Sequence, residues 1–301
     1  MACPVCGEER FSTLREIDST LRTVPDGLDR ATHRRVRIDR CDVCGLLSSL
    51  DLANAPSAES LSFDASASKV RVAGARSTSS TDELGLLRTR PPASLLDVGC
   101  GAGQFLLRAT DAGFDAQGID PDPRSVSFVT GQLGLRARRG SLDMLGANER
   151  FDVISMLGVL EHVPDPVTFL RDASVHLSEG GELLAGVPNP TSLNRRVSRL
   201  SRHDWDMFLE PGHLYHYDPR TLRMLGERAG LHMVRWRTAT ITIRGKVPFL
   251  PARVPAIERQ IRSVTARFAP ANRAYLSALR LLDRMKLGDT VLAVFKPGDK
   301  K

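Results

Sequence analysis

The sequence predicts an α/β protein, with an open, mostly parallel seven-stranded sheet preceded by a small cysteine-bearing module. Three observations carry this expectation. From residue 94 onward, short apolar runs alternate with helical stretches, the pattern of parallel strands joined by helical crossovers. One run, Leu95-Leu96-Asp97-Val98, ends in glycines at alternate positions, Gly99, Gly101 and Gly103, followed by the apolar helix start Phe105-Leu106-Leu107. Near the N-terminus stand two Cys-x-x-Cys-Gly motifs, Cys3/Cys6 and Cys41/Cys44.

Taken in order, residues 1–48 read as the cysteine module, with short strands at Phe11–Ile17 and Arg35–Arg40 and a turn at Pro25-Asp26-Gly27. Residues 49–90 read as a linker with a short helix, because 51–81 are rich in Ala and Ser and lack apolar periodicity. Pro91-Pro92 halts the chain before the main domain, 91–301. Strands are expected at Ser94–Val98, Asp115–Ile119, Leu135–Arg138, Phe151–Met156, Gly181–Val187, His232–Ile243 and Thr290–Phe295. Helices are expected at Gln104–Ala112, Pro123–Leu133, Pro166–His176 and Pro219–Ala229, the last closed by Gly230. Residues 245–289 form an insertion. Ile257, Ile261, Val264 and Phe268, then Tyr275, Leu276, Leu279, Leu282 and Met285, repeat at helical spacing with arginines alongside. Two basic amphipathic helices fit a lid, a peripheral contact with anionic lipid, or plain packing on the sheet or a partner copy.

The chain has 301 residues, a net charge of +7 and a pI near 9.5. Arg replaces Lys almost throughout, which points to a GC-rich genome more than to a basic surface built for nucleic acid. No apolar run approaches a membrane span, and Met-Ala-Cys-Pro does not open a signal peptide. A cytoplasmic location is the expectation, with the inner membrane face as a contact surface if 245–289 binds lipid.

Glycine frees the turn after Val98 and lets a ligand approach the backbone, and the helix N-terminus that follows offers unpaired N–H groups to an anion. Asp120 ends the next apolar run, where a carboxylate can accept both hydroxyls of a ribose. Together these describe a site for an adenosine-containing ligand. A dinucleotide fingerprint needs Gly-x-Gly-x-x-Gly, and here Gln104 holds the third position.

Asp97 followed by Gly-x-Gly-x-Gly resembles the first motif of the class I S-adenosylmethionine-dependent methyltransferases, whose Rossmann-like sheet has an antiparallel last strand. The resemblance covers about residues 84–296. It implies that S-adenosyl-L-methionine is held by Asp97, Gly99, Cys100, Gly101, Gly103, Gln104, Asp120 and Pro121. Ser141-Leu142-Asp143 would flank the adenine, although Ser-x-Asp is also an ordinary turn or N-cap. Phe151 to Pro166, with its Leu-Glu-His-Val, resembles the fourth-strand motif of small-molecule methyltransferases. By that likeness the Met156–Leu157 backbone lies beside the methionine end, and Glu161 and His162 face the substrate mouth. Val187–Ser192 and Pro211–Leu222 look like segments of methyltransferases acting on small molecules and sugar conjugates, which makes His213 and His216 substrate or base candidates beside Tyr215 and Tyr217. His162, His213 and His216 are thus the candidate general bases. The bland alternative is that these histidines pack, pin a loop or cap a helix.

Cys3, Cys6, Cys41 and Cys44 fit a zinc ribbon: two-residue spacing lets each pair reach one ion, and four sulfurs close a structural tetrahedral site. Disulfides or unrelated thiols are the alternatives. A similar ribbon occurs in some sugar C-methyltransferases and some rRNA guanine methyltransferases. This chain departs from the usual pattern after Cys44, since residues 46–80 hold a single aromatic, Phe63. The function expected is methylation of a small-molecule, sugar or lipid-linked acceptor. The alternative is an rRNA or tRNA methyltransferase gripping RNA with the ribbon and Arg-rich patches.

Overall fold

The computed structural model describes residues 2–20, 33–51, 83–200, 205–210, 212–240 and 269–298. The Pro25–Gly27 turn, residues 52–82 of the linker and the first helix expected in the insertion lie outside these residues. The strands are β1 (Phe11–Thr20), β2 (His33–Cys41), β3 (Leu47–Asp51), β4 (Ser94–Val98), β5 (Asp115–Asp120) and β6 (Ala137–Arg139). They continue with β7 (Phe151–Leu157), β8 (Leu177–Pro188), β9 (Tyr215–His216), β10 (Leu231–Ala239) and β11 (Thr290–Pro297). The helices are α1 (Gln104–Asp111), α2 (Pro123–Leu133), α3 (Pro166–Val175), α4 (Leu193–Leu200), α5 (Asp206–Leu209), α6 (Pro219–Arg228) and α7 (Ala269–Arg284).

Seven strands form the main sheet in the order β10-β11-β8-β7-β4-β5-β6. β4 pairs in parallel with both β5 and β7, so strand order reverses there. β11 inserts antiparallel between β8 and β10; an antiparallel last strand is what the resemblance to class I methyltransferases implies. β4 is buried on both faces: Leu96 joins the apolar cluster on one side and Leu95 that on the other, each fully inaccessible. Three of the helices begin with the same local chemistry. Asp122, Asp165 and Asp218 each accept a backbone N–H of the first turn, and each is followed by a proline at a position where a missing N–H costs nothing.

The strand ends differ from expectation in small ways. β8 starts at Leu177, immediately after the helix that precedes it, and β6 runs one residue further than the pattern implies. β10 stops at Ala239, while 241–243 lie outside the described residues. Of the second insertion helix, Leu279 is buried, but Met285 falls past the end of α7 and is 58% exposed. Lys286 and Gly288 then turn the chain into β11. α7 is held by its end: Asp283 accepts from the Thr240 hydroxyl at 2.8 Å, and its carbonyl from Thr238. No helix among the described residues is long and apolar enough to cross a membrane.

The cysteine-bearing segment forms a second, four-stranded sheet, β1-β2-β3-β9. Its fourth strand comes from the main domain: Leu47 pairs with His216 and Ser48 with Tyr215. α6 adds two further ties, Arg220 donating to the Cys44 carbonyl at 2.8 Å and Arg228 to that of Cys3 at 3.1 Å. β3 carries no strong strand signature, and β9 is only two residues long, so their pairing is a product of docking.

At the far side of the sheet Glu182 is fully buried in β8. It accepts the N–H groups of Arg88 (2.8 Å) and Thr89 (2.9 Å) and an ion pair from Arg235 of β10. Glu182→Ala leaves that guanidinium and two N–H groups without their acceptor, and a loss of about 3 kcal/mol in unfolding free energy is expected. Urea denaturation checks it, and a loss below about 1 kcal/mol, the size of a surface pair, contradicts it.

Candidate active site

The carboxyl ends of β4, β5, β6 and β7 meet along one edge, and the sequence-predicted residues gather there. The turn after β4 carries Gly99, Gly101 and Gly103 with φ of +67°, +52° and +73°, in the left-handed region where a side chain is strained. A Cβ on Gly101 would meet only the Gly99 carbonyl at 4.0 Å, so the loop faces open space there. The loop is pinned from below, where Gly99 and Cys100 donate to the Ile119 carbonyl. Cys100 itself is buried, and a Cβ on Gly118 would strike its sulfur at 2.7 Å. Gln104 opens α1, whose N-terminus has no side-chain cap.

Asp120 is 7% exposed and braces this loop: one oxygen accepts the Gly101 N–H at 2.8 Å, the other the Asp122 N–H at 2.9 Å. Burial raises its pKa, against the pull of those two bonds. Asp97 lies deeper, bonded to the Ser155 hydroxyl at 2.7 Å, and burial pushes it up to about 7. Pro121 is exposed at the rim. Beyond β6, the Ser141 hydroxyl donates to the Asp143 carboxylate while Leu142 is buried between them. Met156 is fully buried and Leu157 half-buried at the end of β7.

After β7 the chain turns through Leu160–His162. Glu161 is 2% exposed, with Oε2 left without a hydrogen-bond partner, and burial pushes its carboxyl up to about 8. His162 is half-buried with Nδ1 unpartnered, and its ring meets that of His213 edge-on at 4.7 Å. The ligand atoms of Glu161, His162 and His213 lie within 4.8 Å of one another. His213 is anchored through Nδ1 to the Met207 carbonyl at 3.0 Å. His216 sits 6.0 Å from His213, facing Ser49 of β3 at 2.6 Å and packed against Trp205 and Phe208. The three histidines thus form a row with differing access: His162 is the open end and His216 the buried one. Glu161 and the buried, unpartnered Tyr217 hydroxyl were the less legible members, because an orphaned polar atom is a property of packing, not of spacing.

The four cysteines converge as the spacing predicts. The sulfurs of Cys3 and Cys44 are 3.6 Å apart, those of Cys6 and Cys41 3.5 Å, and all four lie within 4.8 Å of one another with no disulfide. The two knuckles match: Cys3 donates its N–H to Glu8 and Cys41 to Leu46, while Gly7 and Gly45 donate back to the Cys3 and Cys41 carbonyls. Burial pushes Cys3 up to about 11. For Cys41 burial also acts upward, but N–H groups of Cys44 and Val43 outweigh it and bring the thiol down to about 7.

A family model described as a methyltransferase domain matches residues 75–235, more than half of the chain. The chain belongs to the methyltransferase domain family. Its relatives include the ubiquinone biosynthesis O-methyltransferases of Cereibacter sphaeroides, 30% identical over 142 residues (40% of this chain, 56% of the relative), and of Azorhizobium caulinodans, 31% over 137 residues (40% and 54%). The chain spans only about half the length of these relatives. A chain from the complex of the Haloferax volcanii Trm112 methyltransferase activator with its methyltransferase superposes with a TM-score of 0.54 at 17% identity, covering 78% of this chain and 97% of that one. That likeness shows the fold.

The histidine row is expected to make the stability of this chain depend on pH. Burial, reinforced by His162, lowers the His213 pKa to about 4, and burial lowers His162 and His216 too. In the unfolded chain histidine titrates near 6.5. The stabilisation is therefore present above that pH and lost as pH falls toward 4. Between pH 7.5 and 5, His213 alone is expected to cost on the order of 2 kcal/mol of unfolding free energy. Denaturation of wild type and His213→Gln at both pH values measures it; equal pH slopes contradict it.

Proposed function

We propose that this methyltransferase transfers a methyl group from S-adenosyl-L-methionine to an oxygen of a small-molecule acceptor, a sugar or lipid conjugate included. The observation that carries the reading is the left-handed glycine turn after β4, open at Gly101, whose N–H is held by the buried Asp120 carboxylate. The choice of oxygen as acceptor atom is supported by the relatives, which are named O-methyltransferases.

Bound S-adenosylmethionine supplies a methyl sulfonium, already a strong electrophile, so the chain's work is positioning. In this reading the N–H groups at the start of α1 take the methionine carboxylate, with Asp97 at the loop's base. Asp120 takes the ribose hydroxyls on lone pairs not used by the Gly101 and Asp122 N–H groups. Ser141, Leu142 and Asp143 border the adenine, and Met156 and Leu157 the methionine end. His162 accepts the acceptor's hydroxyl proton. It is the most accessible of the three histidines, and burial holds its pKa below the usual value, so near neutral pH it carries the free lone pair a base needs. His213 and His216 position it and line the path to the acceptor.

We also propose that the cysteine cluster holds one structural zinc ion. With Zn–S bonds near 2.3 Å, a tetrahedral site puts its sulfurs about 3.8 Å apart, close to the separations seen here. With four sulfurs closing the site, the ion would staple the N-terminal sheet and take no part in methyl transfer.

Three measurements test these readings. Asp120→Ala is expected to weaken S-adenosylhomocysteine binding by about 1–3 kcal/mol in calorimetry, and tighter binding of NAD than of that ligand overturns the cofactor assignment. Purified without chelator, the protein is expected to hold one zinc per chain, lost in Cys41→Ser; metal analysis that finds none removes the staple. His162→Ala is expected to slow methyl transfer about 10²–10⁴-fold with cofactor affinity kept, and a near-normal rate places the base elsewhere.

A further inference from the structure

A cleft of about 530 Å³ lies between the cysteine-bearing sheet and the segment that follows β8. Apolar side chains of Ile38, Leu47 and Trp205 line part of it. The rest is strongly basic. Arg15 of β1, Arg40 of β2, and Arg195 and Arg199 of α4 all line it. Against these four guanidiniums the lining offers one carboxylate, Asp218. That carboxylate already accepts the Thr221 N–H at 2.7 Å and hydroxyl at 2.8 Å as the cap of α6.

Among the described residues no carboxylate forms an ion pair with Arg40, Arg195 or Arg199. Arg195 lies 5.1 Å over the Phe208 ring, and its buried Nε has no acceptor. Arg199 stands one helical turn further on, so two like charges share one face of α4 and repel. A multiply charged anion in the cleft would relieve that repulsion and satisfy the orphaned donor. Arginine's planar fork suits phosphate oxygens.

The cleft also points toward the chemistry. Pro190 and Thr191, which line it, follow the carboxyl end of β8, on the same sheet edge as the Gly99–Gly103 loop. His216 lines it too and begins the row that runs through His213 to His162. The cleft and His162 therefore lie at the two ends of this packed row, on one edge of the sheet.

We propose that the cleft binds a phosphate or diphosphate group carried by the acceptor, so that the methylated molecule is a phosphorylated small molecule. This rests on the methyltransferase reading above. A concave cleft of this size suits a small molecule better than a bilayer surface or a polynucleotide.

Calorimetry on the full chain with inorganic diphosphate and with uridine diphosphate, at about 0.15 M salt, tests the proposal. Both are expected to bind, and Arg195→Met/Arg199→Met is expected to weaken them about 10- to 100-fold while S-adenosylhomocysteine binding is kept. The single variant Arg40→Met, at an exposed position of β2, is expected to weaken them in the same direction and covers the case in which the double variant does not fold. Wild-type protein that binds S-adenosylhomocysteine but neither diphosphate overturns the proposal alone. So does association only with phosphatidylglycerol vesicles, which would make the arginines a lipid contact. Failure to bind S-adenosylhomocysteine removes the methyltransferase reading and this proposal with it.

Discussion

The pairing of Leu47 with His216 and of Ser48 with Tyr215 stitches a strand of the main domain into the cysteine-bearing sheet, above an apolar cluster that Cys3, Val5 and Leu46 share with Leu96 and Phe295. β9 is two residues long and could not persist alone; it exists because β3 offers a free edge and because Tyr215 and Tyr217 are buried beneath it. Its neighbours depend on it. His216 is held against Ser49, Trp205 and Phe208 close over it, and His213 is set at the distance that lets it meet His162. The cysteine cluster, the basic cleft and the candidate base are therefore one mechanical unit. The arginines of α6 that reach the Cys3 and Cys44 carbonyls tie the same unit from the other side.

Electrostatics divides this unit into two regions. Around the glycine loop the buried groups are acids: Asp97, Asp120 and Glu161 all have raised pKa values, each chiefly through burial. Across the histidine row the sign changes, and the cleft is lined by arginines. A cationic sulfonium suits the first region and an anionic acceptor the second, with neutral imidazoles between them. Buried carboxyls close together resist full ionisation, so a bound positive charge would be welcomed where they lie. The open, uncapped N-terminus of α1 supplies a local exception, suited to a carboxylate.

Much of the site was legible because its chemistry is local in sequence. Gly99, Gly101 and Gly103 lie within five residues of one another, and their spacing specifies the turn. Asp120 closes the adjacent strand, so register alone brings it under Gly101. Asp-Pro pairs marked three helix starts for reasons of hydrogen bonding that need no tertiary context. Less legible was the environment of each group. His162, His213 and His216 are alike in sequence, yet one is accessible and another is packed against Trp205 and Phe208. The cleft draws its arginines from β1 and β2 and from α4, which follows them by more than 150 residues, and no short window of the chain contains that pattern.

By itself, then, the sequence determined the sheet, the glycine loop with its acidic partner, and the pairing of cysteines into knuckles, because periodicity, turn stereochemistry and two-residue spacing act within one or two elements. The tertiary structure alone decided how the cysteine-bearing sheet docks, which histidine stays accessible, which polar atoms are orphaned, and where positive charge collects. Those outcomes depend on desolvation and on long-range strand pairing, and both are set by what the rest of the chain places nearby.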